Sequence, residues 1–414
     1  MTTYSPTDIA VEAGRASFIT GDVFDVLATI PDGSVDLVLT SPPFLALRSY
    51  LPADHPDKHR EIGSEPDPAS FLATLLGLAA EWRRVLAPHG SICVELGDTY
   101  SGSGGGGGDY LEGGMREGQQ QFAGSAASMR ESNAQHWRNK AANKSAWPLP
   151  KSLCGIPHLF HLSLAYGRNL LTGEPCEPWM VRNVVAWCRP NPPVGALGDK
   201  FRPATSYMTI ACPSGSRYFD LDAVRTSAQQ PNPAGDRSDR RTRGAMAVEG
   251  KGDSGHHGAH PAGAPPLDWW EIPTTPYAGS HYAVWPPALL ERPIKSMVPS
   301  KVCTVCGEPS RRITQCRSSV GSTAGGKGRN GRKVADLEYS GVTIGWTDCG
   351  HDDNYRPGIV LDPFGGSGTT IAVATGHGHH AIGIDLDARN VHLARERVGP
   401  MFLDEFTLDE WKNR

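Results

Sequence analysis

The chain has 414 residues, 39% of them apolar, with 40 Lys+Arg against 44 Asp+Glu and a formal charge of -4. That length supports at least one large core, about two to three units by a length prior, and the charge excludes a uniformly basic protein that coats nucleic acid. No apolar run approaches the roughly 18 residues of a membrane span, no basic-then-apolar leader opens the sequence, and nine scattered cysteines suit a reducing compartment, so a soluble protein of the cytoplasm is expected.

In chain order, Ala16 to Ile19 followed by Gly21-Asp22, and Val35 to Leu39 followed by Thr40, read as buried strands on either side of a helical turn at Val23 to Ile30. Apolar residues at helical spacing run from Phe71 to Leu86 and stop at Pro88-His89-Gly90, after which Ser91 to Leu96 reads as a third strand. From Ser101 to about Trp147 the composition turns to Gly, Ser, Gln and Asn, too poor in apolar surface to offset chain entropy, and predicts an insertion that is mobile without ligand. A helix through about Tyr166 follows, then strands at Val181 to Cys188 and Tyr207 to Cys212, a weakly ordered stretch at about Ser227 to Pro266, and helical potential at Pro287 to Ile294. The last unit predicts strand Ile359 to Leu361, a glycine loop, helix Thr369 to Thr375, strand Ala381 to Ile384 ending in Asp385, and helix Arg389 to Arg397.

Alternating strands and helices imply an α/β, doubly wound, mostly parallel sheet. The expected organisation is a catalytic half at 1–100, a mobile insertion at 101–150, a continuation of the same domain at 151–226, a flexible segment with possible target recognition at 227–270, a helical region at 271–300, a metal-binding module at 301–353 and a cofactor half at 354–414.

Two motifs carry the chemistry. In GIVLDPFGGSGTT, a strand runs through Asp362, Pro363 and Phe364 into Gly365, Gly366, Ser367, Gly368 and Thr369 at the start of a helix. Such a loop lets backbone approach a ligand, and Asp385, closing the next strand, stands where a carboxylate would hold ribose hydroxyls. The glycine spacing is not that of a dinucleotide fold, since Ile371 falls where the third glycine belongs. The chain ends soon after the helix at Arg389 to Arg397, so the third strand of this sheet is expected from Ala16 to Asp22, with the Asp22 carboxylate as an acceptor toward the ligand.

The second motif, TSPPF, ends the apolar strand at Thr40 and offers Ser41, Pro42, Pro43 and Phe44. The Ser41 hydroxyl and a carbonyl of the rigid Pro42-Pro43 pair are hydrogen-bond acceptors able to draw a weakly nucleophilic amine toward tetrahedral geometry. Phe44 offers a ring for stacking a planar ligand, as on a base flipped out of a duplex.

Together, DPFGGSGTT and TSPPF resemble the cofactor and catalytic motifs of the amino-DNA methyltransferases, the N4-cytosine and N6-adenine modification methylases of bacteria and phages. The order, catalytic motif first, resembles the β class of that family, and PFLALRSY, GIPHLFHLSLA, VRNVVAWCRPNPP and HYAVWPPALLERPI resemble further segments of it. The resemblance implies S-adenosyl-L-methionine (AdoMet) as cofactor, double-stranded DNA as substrate, a possible cognate restriction endonuclease and a bacterial or phage-infected cytoplasm. Serine at the first motif position resembles the N4-cytosine enzymes, with N6-adenine as the alternative. Thr205-Ser206-Tyr207 departs from the His-Glu-Tyr common in relatives. An inactive zinc-containing DNA-binding protein on the same fold is the rival reading.

Cys303-x-x-Cys306-Gly presents two thiolates as a knuckle, and Cys349-Gly-His351 supplies a second pair, which predicts a structural Cys₃His zinc site with Cys316 as a possible substitute for His351. Arg311, Arg312, Arg317, Lys327, Arg329, Arg332 and Lys333 lie between the pairs and would reach phosphates on the folded module. Further basic groups at Arg138, Lys140, Lys144 and Lys151, and at Arg237, Arg240, Arg241 and Arg243, read equally as solvated loops.

Overall fold

The computed structural model describes residues 14–47, 50–51, 54–101, 146–192, 199–226, 263–275, 284–315, 342–352 and 354–414. The glycine-rich insertion, most of the stretch from Ser227 to Pro266, Cys316 and the basic residues from Arg317 to Lys333 lie outside them. Among the described residues no helix is long and apolar enough to cross a membrane.

The larger of two compact units takes its residues from Val11–Phe219, Leu267–Pro309 and His351–Arg414. Its elements are β1 (Ala16–Thr20), α1 (Val23–Leu27), β2 (Val35–Thr40), α2 (Pro68–Val85), β3 (Leu86–Leu96), α3 (Ile156–Tyr166), β4 (Met180–Cys188), β5 (Thr205–Cys212), β6 (Trp269–Glu271), α4 (Pro287–Met297) and β7 (Val302–Cys303). The smaller unit, drawn from Asp220–Pro266 and Ser310–Gly350, pairs β8 (Arg312–Gln315) with β9 (Val342–Trp346) in antiparallel. The larger unit resumes with β10 (Tyr355–Arg356), β11 (Ile359–Asp362), α5 (Thr369–Gly376), β12 (His380–Asp385), α6 (Asn390–Val398), β13 (Leu403–Thr407) and α7 (Leu408–Lys412).

Nine strands form one sheet in the order β13-β1-β12-β11-β2-β3-β5-β4-β6, in which only β5 runs against the others. The sheet is buried on both faces, which is why its central strands read as continuous apolar runs. Val38, Ile92, Val94 and Leu361 face α1, α2 and α3, whereas Leu37, Leu39, Cys93 and Val360 face α4 and α5. Helix α2 is fixed at its start by Asp67, whose carboxylate accepts from the Ser70 amide, with Pro68 in the first turn, and its Phe71, Leu75, Ala79 and Trp82 bury one stripe.

As expected, β1 is the parallel neighbour of β12, with Thr20 beside Asp385. One expectation needs correcting. The residues after α6 do make a strand, β13, but it pairs on the outer side of β1 and leaves the β1–β12 contact intact. Pro88-His89-Gly90 likewise lies within β3, where the register on β2 shifts between Val35 and Leu37, so the helix stop is followed by an irregular strand instead of a loop.

At the opposite edge of the sheet from the motifs, Asp36 joins the starts of three strands. Its carboxylate accepts from Arg356 Nη1 at 2.6 Å and the Ile359 amide at 2.7 Å, and lies 2.7 Å from His89 Nε2. Burial alone would raise its pKa, but the His89 and Arg356 contacts hold it below the usual carboxylate range.

Candidate active site

Because the strands from β1 to β3 run in parallel, Asp22, Asp385, Asp362, Thr40 and Glu95 all fall at one edge, where ligands bind in open sheets of this kind. The two sequence motifs meet there directly. Thr40 Oγ1 donates to Asp362 Oδ1 at 2.6 Å, Thr370 Oγ1 to Asp362 Oδ2 at 2.5 Å, and the Phe364 amide to Oδ1 at 3.1 Å. Expected to touch cofactor, Asp362 is buried with both oxygens engaged by the protein. Desolvation pushes its pKa up against those three hydrogen bonds.

The glycine loop is forced by close packing. Gly366 and Gly368 have φ of +48° and +75°, and a Cβ on Gly368 would sit 2.9 Å from Ala394 of α6. The Gly366 amide donates to Asp385 Oδ2 at 2.8 Å and the Asp387 amide to Oδ1 at 2.8 Å. Burial, with repulsion from Asp387, pushes the Asp385 carboxyl up to about 6. Pro363, Gly365, Ser367 and Thr369 are buried in the loop, and Phe364 is half-buried against the core. Asp22 caps α1, with Oδ1 accepting from the Phe24 and Asp25 amides at 3.0 and 3.3 Å, and the same oxygen lies 3.2 Å from Arg60 Nη2.

On the catalytic side, Ser41 Oγ donates to Glu95 Oε2 at 2.6 Å. Glu95 is the residue that sequence reasoning missed. A carboxylate only 3% exposed at the end of the apolar strand SICVEL is the signal that reveals it. Pro42 is buried, Pro43 is half-buried, and the half-buried Phe44 ring lies against Gly97, where an added Cβ would come within 2.5 Å of it. Asp98 accepts from the Gly155 and Ile156 amides at 2.9 and 3.2 Å and so anchors the start of α3 beside this edge.

A protein-family model described as DNA methylase, of the N6 and N4 methyltransferases, matches residues 35–301 and 355–396. The chain belongs to this family. It is thus an AdoMet-dependent DNA methyltransferase. Among relatives of this methylase, the Type II methyltransferase M.SmaI of Serratia marcescens is 23% identical, with 95% of each chain covered. M.Cfr9I of Citrobacter freundii is 25% identical over 68% of this chain and 72% of its own. The solved PvuII DNA methyltransferase (cytosine-N4-specific) aligns over 96% of both chains at 13% identity, with a TM-score of 0.47.

Between the two matched stretches of the methylase lies the cysteine segment. The ligand atoms of Cys303, Cys306 and His351 lie within 4.8 Å of one another, and Cys349 is joined to His351 through Gly350 alone. The Val305 and Cys306 amides donate to Cys303 Sγ at 3.4 and 3.5 Å, and Gly307 follows at φ +74°, the geometry of a knuckle that stabilises a thiolate. Donors of this type suit zinc. Of the basic residues expected on this module, Arg312 bonds Asp220 through Nε and Nη2 at 2.9 and 2.7 Å and stacks on Trp346 at 4.7 Å, so its charge serves the smaller unit's own packing.

Proposed function

We propose that the protein methylates the exocyclic amine of a flipped base in double-stranded DNA, with cytosine N4 as the target. The hydrogen bond from Ser41 to Glu95 carries this reading. With its proton directed at Glu95, the Ser41 oxygen turns its lone pairs outward to accept an N–H of the target amine. As the amine nitrogen forms its bond to the methyl group and the carbon–sulfur bond breaks, the amine proton passes to Ser41 Oγ. The hydroxyl proton passes in turn to Glu95, leaving methylated base, S-adenosylhomocysteine and a protonated carboxyl.

A carbonyl of Pro42 or Pro43 accepts the second amine proton, and Phe44, braced by Gly97, stacks on the base. AdoMet supplies the methyl group. Gly365, Gly366, Ser367, Gly368 and Thr369 would admit it because they put little side chain between backbone and ligand, Asp385 would accept from its ribose hydroxyls, and Asp22, whose own contacts use Oδ1, would accept the adenine amine at Oδ2. Asp362, Pro363 and Phe364 shape the floor beneath it. Cytosine is favoured over adenine by serine at position 41, and relatives named Type II methyltransferases support a cognate restriction endonuclease. Cys303, Cys306, Cys349 and His351 hold a structural zinc, four ligands leaving no open position for catalysis.

Incubation of duplex DNA with the purified protein and AdoMet, digestion to nucleosides and mass spectrometry provides the test. N4-methylcytosine is expected. N6-methyladenine would overturn the base choice, and no methylated nucleoside on any duplex would overturn the activity.

A further inference from the structure

The β4–β5 connection emerges at the catalytic edge, because β5 pairs antiparallel with β3 and places Tyr207 beside Leu96, so Thr205 begins where β2 and β3 end. Its base is closed by the Arg189 amide donating to Ala204 O at 2.8 Å. Two contacts fasten the described part of this loop to neighbouring chain: Lys151 Nζ meets Asp199 Oδ2 at 2.9 Å, and Lys200 Nζ sits 3.5 Å above the ring of Tyr100. The next residue, Phe201, is 98% exposed, followed by Arg202, and Leu149 on the adjoining segment is 80% exposed. An aromatic ring held out in water between two cations, on a loop pinned immediately beside it, contributes nothing to the core. It has the chemistry of a wedge for stacked bases flanked by phosphates.

We propose that Phe201 enters the duplex at the target base and fills the stack as that base rotates toward Ser41, while Lys200 and Arg202 meet the flanking phosphates. This rests on the DNA methyltransferase reading of the site. Duplex DNA is the occupant because the ring lies between positive charges at the edge where the base must arrive, and because the amine is inaccessible until the base leaves its stack.

The test compares wild type, F201A and F201W under single turnover on two duplexes containing the mapped target site, one fully paired and one with an abasic site opposite the target base. A residue so exposed can be replaced without disturbing the fold. Removing the wedge is expected to slow the paired duplex by about tenfold or more, since unstacking is the step it assists, and to leave the abasic duplex within about twofold of wild type. F201W retains the wild-type rate on both. An F201A rate equal to wild type on the paired duplex, or reduced equally on both duplexes, would overturn the proposal. Wild type inactive on both duplexes would overturn the underlying methyl-transfer reading as well, an outcome distinguishable because it needs no variant.

Discussion

The hydroxyl of Thr40 donates to the carboxylate of Asp362 across 2.6 Å, joining residues 322 positions apart and fastening the strand that ends in TSPPF to the strand that begins the glycine loop. Thr40→Val keeps the shape and removes the donor, leaving a buried carboxylate with one partner fewer. The expected cost is about 1–3 kcal/mol of stability, measured by urea unfolding, with Thr40→Ser near wild type. Activity should fall further than stability explains, since drift between the loops misaligns amine and methyl group. Equal stability for wild type and Thr40→Val would show that the bond is incidental to the junction.

Glu95 separates binding from chemistry. It accepts from Ser41 and belongs to neither sequence motif, so Glu95→Gln should leave the AdoMet Kd unchanged while the single-turnover methylation rate falls by about 10²–10⁴, the range for a general base. Ser41→Ala should lose a similar factor, and the double variant no more than either alone, because the two groups act on one proton. Additive losses would place them in separate steps.

What was legible in the sequence follows from where local pattern and tertiary structure agree. The glycines of DPFGGSGTT, the strand before them and Asp385 after them could be read because close backbone approach tolerates few residue types. The meeting of β1 with β12 was expected because no strand was read after the last helix, a premise that β13 corrects although the pairing itself stands. Strand β13 was missed because LDEFT carries no apolar run and gains its place only by pairing with β1. Glu95 and Thr370 were missed for a related reason: a polar residue's partner across the sheet is invisible until register is known.

If Asp385 holds the ribose hydroxyls as proposed, cofactor binding depends on acidity. Its carboxyl, raised by burial to about 6, must be ionised to accept strongly from ribose hydroxyls, so below that pH each binding event must first expel a proton. The AdoMet Kd measured by calorimetry should therefore be flat above about pH 7 and weaken about tenfold per unit well below 6. Asp385→Asn should bind weakly at every pH and lose the slope. A slope that persists in that variant would assign the proton to another group.

His379 predicts a loss of stability in acid. It is 7% exposed, with no hydrogen-bond partner for Nδ1 among the described residues, and burial, with repulsion from His377 and His380, lowers its pKa to about 4 despite attraction from Asp36. A histidine depressed in the fold is neutral there while the unfolded chain takes up a proton, so its contribution is whole above about 6.5 and is lost as pH falls toward 4. The shift corresponds to about 3 kcal/mol. Asp36, whose pKa is lowered, acts in the same direction at lower pH. Urea midpoints between pH 7 and 4 should fall for wild type and fall less for His379→Gln.

The cysteine knuckle connects to the sheet through two residues of β10. Cys303 on β7 pairs with Tyr355, and the adjoining Arg356 donates to Asp36 at the start of β2, so a metal on Cys303 would brace the entry to β11 from outside the core. One zinc per chain is expected by elemental analysis of protein purified without chelator. Cys306→Ser, an exposed position whose change removes no core packing, should lower that content. Chelation of wild type should lower the urea midpoint and open the knuckle to protease, while chelator leaves the midpoint of Cys306→Ser unmoved. Protein free of zinc that nonetheless unfolds at the wild-type midpoint would mean the thiols pack without a metal.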